Sequence, residues 1–115
     1  MRYLLMICTD ETSIEALSPA EGEAMLAEYG AFREEMTSRG VLEGGERLRP
    51  TTVATTVRIR DGEVLTADGP FAETKEQVGG YFLADCRDLD EAIEVAAKIP
   101  AARLGTIEVR PIWEM

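Results

Sequence analysis

Histidine is absent from this 115-residue chain. That absence removes histidine-based triads, the commonest general acid and base, histidine-ligated haem and most transition-metal sites. Chemistry here must rest on carboxylates, arginine, lysine, tyrosine, hydroxyls or thiols. Thiols are themselves scarce. Cys8 and Cys86 each close an apolar run, "YLLMIC" and "GGYFLADC", and neither has a second cysteine at CxxC spacing. They read as buried reduced thiols, and a disulfide between them would need their two strands to pair in the right register.

Long apolar runs are missing too. Nothing approaches the roughly 18 residues of a membrane span. The short run after Arg2 has neither the length nor the small-residue cleavage site of a secretory signal. The expectation is a protein of the cytoplasm without a membrane partner. Positive charge is the last shortage: 12 Lys and Arg stand against 22 Asp and Glu, for a net charge of −10. Such a surface repels phosphate backbones, which argues against a nucleic-acid partner and suits a basic one. Solubility alone also accounts for it. With metal ligands and a dinucleotide-type glycine loop both lacking, no haem, zinc or flavin cofactor is expected.

What is present suffices for one domain over residues 1–115, with 45% hydrophobic residues to build a core. "RYLLMIC" (2–8) reads as a central strand buried on both faces. "SPAE" (18–21) starts a helix with three agreeing signals: Ser18 as N-cap, Pro19 at the first position and Glu21 closing a capping box. Met25, Tyr29, Phe32 and Met36 then form one apolar stripe, and Gly40 ends the helix, predicted over 19–39. Residues 40–52 read as a turn-rich loop with room for a short strand.

"VATTVRIRDGEVLTA" (53–67) alternates like a hairpin about Asp61-Gly62, a strong type I′ turn. "VGGYFLADC" (78–86) is a further strand, its glycines marking a bulge or a close backbone approach. Asp88 and Glu91 cap a second helix that Pro100 ends. "TIEVRPIW" (106–113) is the last strand. This order predicts an α+β fold, the ferredoxin-like βαββαβ pattern with an enlarged middle hairpin. Two helices cover one sheet face and nothing in the chain covers the other, so a homodimer through that face is expected.

The landmarks "TTVRIRDGEVLTADGPFAETKE", "GGYFL", "DLDEA", "KIPAA" and "IEVRPI", with the "EYGAFREEM" helix, resemble the DGPF-type branch of the YCII-related family over essentially the whole chain. The resemblance implies a dimeric α/β-barrel type of domain that associates sheet to sheet. It implies no settled reaction. Relatives are proposed to act through a histidine and an aspartate, some resemble small-molecule lyases, and DGPF-type members are often encoded beside extracytoplasmic-function sigma factors. Here the helix histidine is replaced at about Tyr29, and the Asp-Pro pair reads Ile99-Pro100. That mechanism does not carry over.

The candidate site therefore comes from the residues themselves. In "DGPF" (68–71), Asp68, Gly69 and Pro70 make a turn by local chemistry alone. Phe71 and the acid-rich "AETKE" are left over. Asp68 is the candidate catalytic carboxylate, partly desolvated by Phe71 and so tuned toward acid or base work of a lyase or isomerase type. Arg47 and Arg49, two apart on an extended segment, can clamp an anion, with Lys75, Tyr29 and Phe71 as further ligand-binding candidates. "TKEQ" (74–77) has the spacing for one helical turn. Asp68, Glu73 and Glu76 match no calcium-loop spacing and have Lys75 among them, so they read as solvated surface. Two functions fit: a dimer binding an unknown small molecule and acting on it, or a non-catalytic regulatory module working with a sigma factor.

Overall fold

The computed structural model describes residues 1–115. Its elements are β1 (Arg2–Thr9), α1 (Glu11–Glu15), α2 (Pro19–Ser38), β2 (Leu42–Arg47), β3 (Thr55–Arg60), β4 (Glu63–Asp68), β5 (Gln77–Asp85), α3 (Leu89–Ala97) and β6 (Thr106–Pro111). Short 3-10 turns lie at Thr51–Val53 and Pro100–Arg103. Four strands form an antiparallel sheet in the order β2-β5-β1-β6, and β3 and β4 pair only with each other. The four-stranded order with α2 and α3 is the ferredoxin-like α+β arrangement.

Local chemistry sets both helix starts. The Ser18 hydroxyl accepts the Glu21 N–H at 3.1 Å, and the Glu21 carboxylate accepts the Ser18 N–H at 3.0 Å. Asp88 accepts the Glu91 N–H at 2.9 Å. The Asp61-Gly62 turn takes the left-handed conformations a type I′ hairpin requires, with φ of 52° and 78°.

The core lies between the helices and one sheet face. Tyr3, Leu5 and Ile7 from β1 meet Phe82 and Ala84 from β5, Phe32 and Met36 from α2, and Ala92, Val95 and Ile99 around α3. β1 is thus buried on one face, not on two as its apolar run suggests. Leu4, Met6 and Cys8 alternate onto the far face with Tyr81 and Leu83, all half-exposed because this chain supplies no layer there. The glycine pair does both things expected of it. Gly79 is the extra residue where the β1–β5 register skips between Ile7–Gly80 and Cys8–Val78. A Cβ on Gly80 would lie 2.9 Å from the Glu46 carbonyl oxygen of β2.

Three expectations need correction. Residues 42–47 are not mainly loop: they are the edge strand of the principal sheet. The 53–67 hairpin is outside that sheet, because β2 already occupies the β5 edge. "TKEQ" makes no helical turn: the Thr74 hydroxyl and carbonyl are bonded to the Glu76 carbonyl and the Gln77 amide, which hold the segment in an open bend. Cys8 and Cys86 are both free. Cys8 pairs opposite Val78, at the end of β5 remote from Cys86, so register alone forbids a disulfide.

Candidate functional site

The hairpin's root is pinned by Glu11. Its carboxylate accepts the Thr51 N–H and hydroxyl, each at 2.8 Å, and its own N–H donates to the Gln77 side chain at 3.0 Å. β5 starts at Gln77, opposite Thr9, and Gly80 stands opposite Arg47. The loop 69–76 and the end of β2 therefore leave the sheet at the same end. Asp68, Arg47, Arg49, Phe71 and Lys75 all belong to this region, and Lys75 lies close enough to Asp10 to help lower its pKa.

Within it the residues differ in setting. Asp68 ends β4 opposite Thr55, exposed and without an ion pair, while the Gly69 N–H closes the hairpin on the Ala54 carbonyl at 2.7 Å. Gly69 has a φ of 96°, a conformation that requires glycine. Phe71 is 84% exposed and so does not desolvate Asp68 within this chain.

Tyr29 is better embedded. Its ring lies 6.3 Å from that of Phe82, which is also 5.0 Å from Phe32. The Arg33 guanidinium sits 5.0 Å above the same Phe82 ring, a cation–π arrangement. Burial pushes the Tyr29 phenol above its ordinary range, opposed by the Ala101 N–H facing its oxygen and by the charges of Arg47 and Arg33. Tyr29, Arg33 and Arg47 thus converge where α2, β2 and the 100–103 turn meet. Gly45 makes this possible: a Cβ there would lie 2.5 Å from the Phe82 ring.

The ion pairs sharpen the picture. Arg2, Arg39, Arg87, Lys98, Arg103 and Arg110 all pair with carboxylates. Arg33, Arg47, Arg49, Arg58, Arg60 and Lys75 pair with none, in a chain with an excess of acids. Arg33 escapes sequence reading because it lies one position from the apolar stripe of α2. Its only available signal is its adjacency to Phe32.

A depression of about 520 Å³ lies elsewhere, lined by Met1, Arg39, Val41, Cys86, Arg87 and Glu91. Its charges are already matched. Glu91, only 6% exposed, accepts the Arg87 N–H at 2.9 Å and guanidinium bonds from Arg87 and Arg39 at 2.7 and 3.4 Å. This cluster ties α2 to α3 and leaves no group free for a ligand. No group of three or more cysteine, aspartate or glutamate side chains is placed to hold a metal ion.

A ferredoxin-like α+β domain with a detached hairpin and an arginine–tyrosine cluster defines the class. The YCII-related domain model matches residues 1–115, and the chain belongs to that family. It is also 40% identical over 114 residues to an uncharacterized protein of Rhizobium meliloti (strain 1021), covering 97% of this chain and 92% of that one.

Proposed function

We propose that this protein is a homodimeric small-molecule-binding domain that takes an anionic, carboxylate-bearing ligand at the β2 end of its sheet. The single observation that carries the reading is a pair of guanidiniums without carboxylate partners near Tyr29: Arg33, stacked over the Phe82 ring beside it, and Arg47, close enough for its charge to reach the phenol. Guanidinium forks match carboxylate geometry, and an aromatic floor supplies apolar contact area. Arg49, Lys75 and Phe71 flank the same end of the sheet as outer ligand contacts. Asp68, unpaired at the head of the loop, is the candidate acid or base for proton transfer on the bound molecule. The half-exposed Leu4, Met6, Tyr81 and Leu83 support association through the open sheet face, since such a face needs covering.

The test is a thermal-shift and calorimetric series with benzoate and succinate as probes, on the wild type, Arg47→Gln and Asp68→Asn. A carboxylate at 100 times its dissociation constant should add about 2.7 kcal/mol. Arg47→Gln should weaken binding at least tenfold, about 1.4 kcal/mol. Asp68→Asn should leave the melting midpoint unchanged, because asparagine keeps the turn, and carboxylate affinity no weaker, because a like charge is removed, while turnover falls tenfold. Equal loss of stability and turnover in Asp68→Asn would reduce that residue to a turn former. A dimer deaf to every carboxylate would sink the binding reading and return the protein to a non-catalytic interaction module with a basic partner such as a sigma factor.

A further inference from the structure

We propose that the β3–β4 hairpin is an arm exchanged between two copies of this chain. Its Val57, Ile59 and Val64 face seats in the apolar groove between α3 and β6 of the partner copy. The proposal rests on the sheet-to-sheet homodimer above and adds a second contact to it.

The arm is unfinished as a structure. A two-stranded hairpin alone is marginally stable in water. Yet β3 and β4 join no other strand, and all their residues except Thr56 are exposed. Strand alternation puts Val57, Ile59 and Val64 on one face, at 62, 64 and 67% exposure, and Arg58 and Arg60 on the other. The whole chain is a plate of 48 × 43 × 19 Å with a radius of gyration of 16.1 Å. A compact domain of this length has a radius of gyration of about 13 Å. The excess reflects a hairpin that extends away from the body instead of packing on it.

The same chain carries a matching hollow. Ile93, Ala96, Ala97, Ala102, Ile107 and Val109 line a groove of about 270 Å³ with no polar side chain in it. It runs along the β6 edge, whereas the arm leaves from the β2 end, and β2 and β6 are opposite edges of the sheet. A two-fold axis running along the strands of two facing sheets stacks the β2 edge of one copy on the β6 edge of the other. Ridge and groove then meet twice, once in each direction, and the assembly closes as a symmetric pair.

Charge and area select a second copy as the occupant. Residues 47–75, the arm and its roots, hold five cations and four acids, whereas the rest of the chain holds seven cations and eighteen acids. A slightly basic arm thus faces a strongly acidic body, a complementarity that favours docking on another copy. Four strands of six to nine residues, about 4.8 Å apart, present a flat face of only about 450 Å². Each partner in a stable interface contributes about 800 Å². The arm supplies the missing area.

The experiment combines light scattering with amide hydrogen exchange on the full chain and on Ile59→Glu. Residue 59 is exposed, so the body should keep its circular dichroism and its melt. The wild type at micromolar concentration should be a dimer in which residues 55–68 and the α3–β6 segment are both protected. Ile59→Glu should strip protection from both segments together and weaken the dimer at least tenfold. A dimer whose arm exchanges freely, or whose affinity Ile59→Glu changes less than twofold, overturns arm exchange and leaves the sheet-face dimer standing. An arm protected without the α3–β6 segment overturns the groove as its seat. A monomer of 12.6 kDa overturns the dimer and the arm together.

Discussion

Gly45→Ala isolates how β2 is fitted to the core beneath the arginine–tyrosine cluster. The new methyl would lie 2.5 Å from a Phe82 ring carbon, 2.6 Å from the Tyr81 carbonyl oxygen and 3.1 Å from the Phe82 Cα. Two of those three atoms are backbone and cannot rotate away. The ring cannot easily yield either: Phe82 is 2% exposed, wedged between Phe32 and Tyr29. β2 must therefore draw back from β5, and overpacking of this kind costs about 3 kcal/mol. For a domain of this size that is a fall of about 10 °C in Tm. Gly30→Ala is the control. It makes the same chemical change in α2, where a Cβ meets nothing within 4 Å, and better helix propensity should stabilise by about 1 kcal/mol. Paired urea melts and benzoate titrations decide it. Gly45→Ala should lose stability and carboxylate affinity together, because Phe82 carries Arg33 and Tyr29, while Gly30→Ala should lose neither. A Gly45→Ala melt within 2 °C of wild type, or shifts of the same sign in both variants, would refute this account of the β2–β5 contact.

Glu91→Gln should cost about 2 kcal/mol, because a buried acceptor of charged hydrogen bonds is neutralised. Glu94→Gln, half-exposed and 2.9 Å from Arg39, should cost no more than about 0.5 kcal/mol. Equal shifts in chemical denaturation would show that distance rather than burial sets the worth of these pairs. Ser18→Ala removes one half of the α2 capping box and should cost about 1 kcal/mol; an unchanged denaturation midpoint would mean the cap carries no stability. Tyr29 gives a pH dependence. Its folded-state pKa is raised, so the native state holds the proton more tightly. That contribution is complete below the unfolded pKa of about 10 and is lost as pH rises from there through the folded value. Urea midpoints across that window should fall further for the wild type than for Tyr29→Phe, and parallel curves would contradict it.

The elements that sequence determined by itself are those whose chemistry is local. Ser18 and Glu21 bond each other across one turn, Asp88 caps α3, and Asp61-Gly62 adopts left-handed conformations that glycine and aspartate tolerate. Each depends on neighbours a few residues away, so each can be read before any folding. The arginine–tyrosine cluster was half legible for the same reason: Tyr29 stands in a helical stripe and Arg47 in an extended segment, whereas Arg33 declares nothing until Phe82 arrives beneath it. The rest was decided in three dimensions. "LEGGER" lacks β-forming side chains and becomes a strand because Gly45 and Gly80 let its backbone close on β5. Alternation identifies the 55–68 hairpin but cannot say which sheet it joins; it stands apart because β2 fills the β5 edge first. β1 reads as buried on both faces because Leu4 and Met6 are as apolar as Tyr3 and Leu5. Only the placement of both helices on one side leaves its other face open.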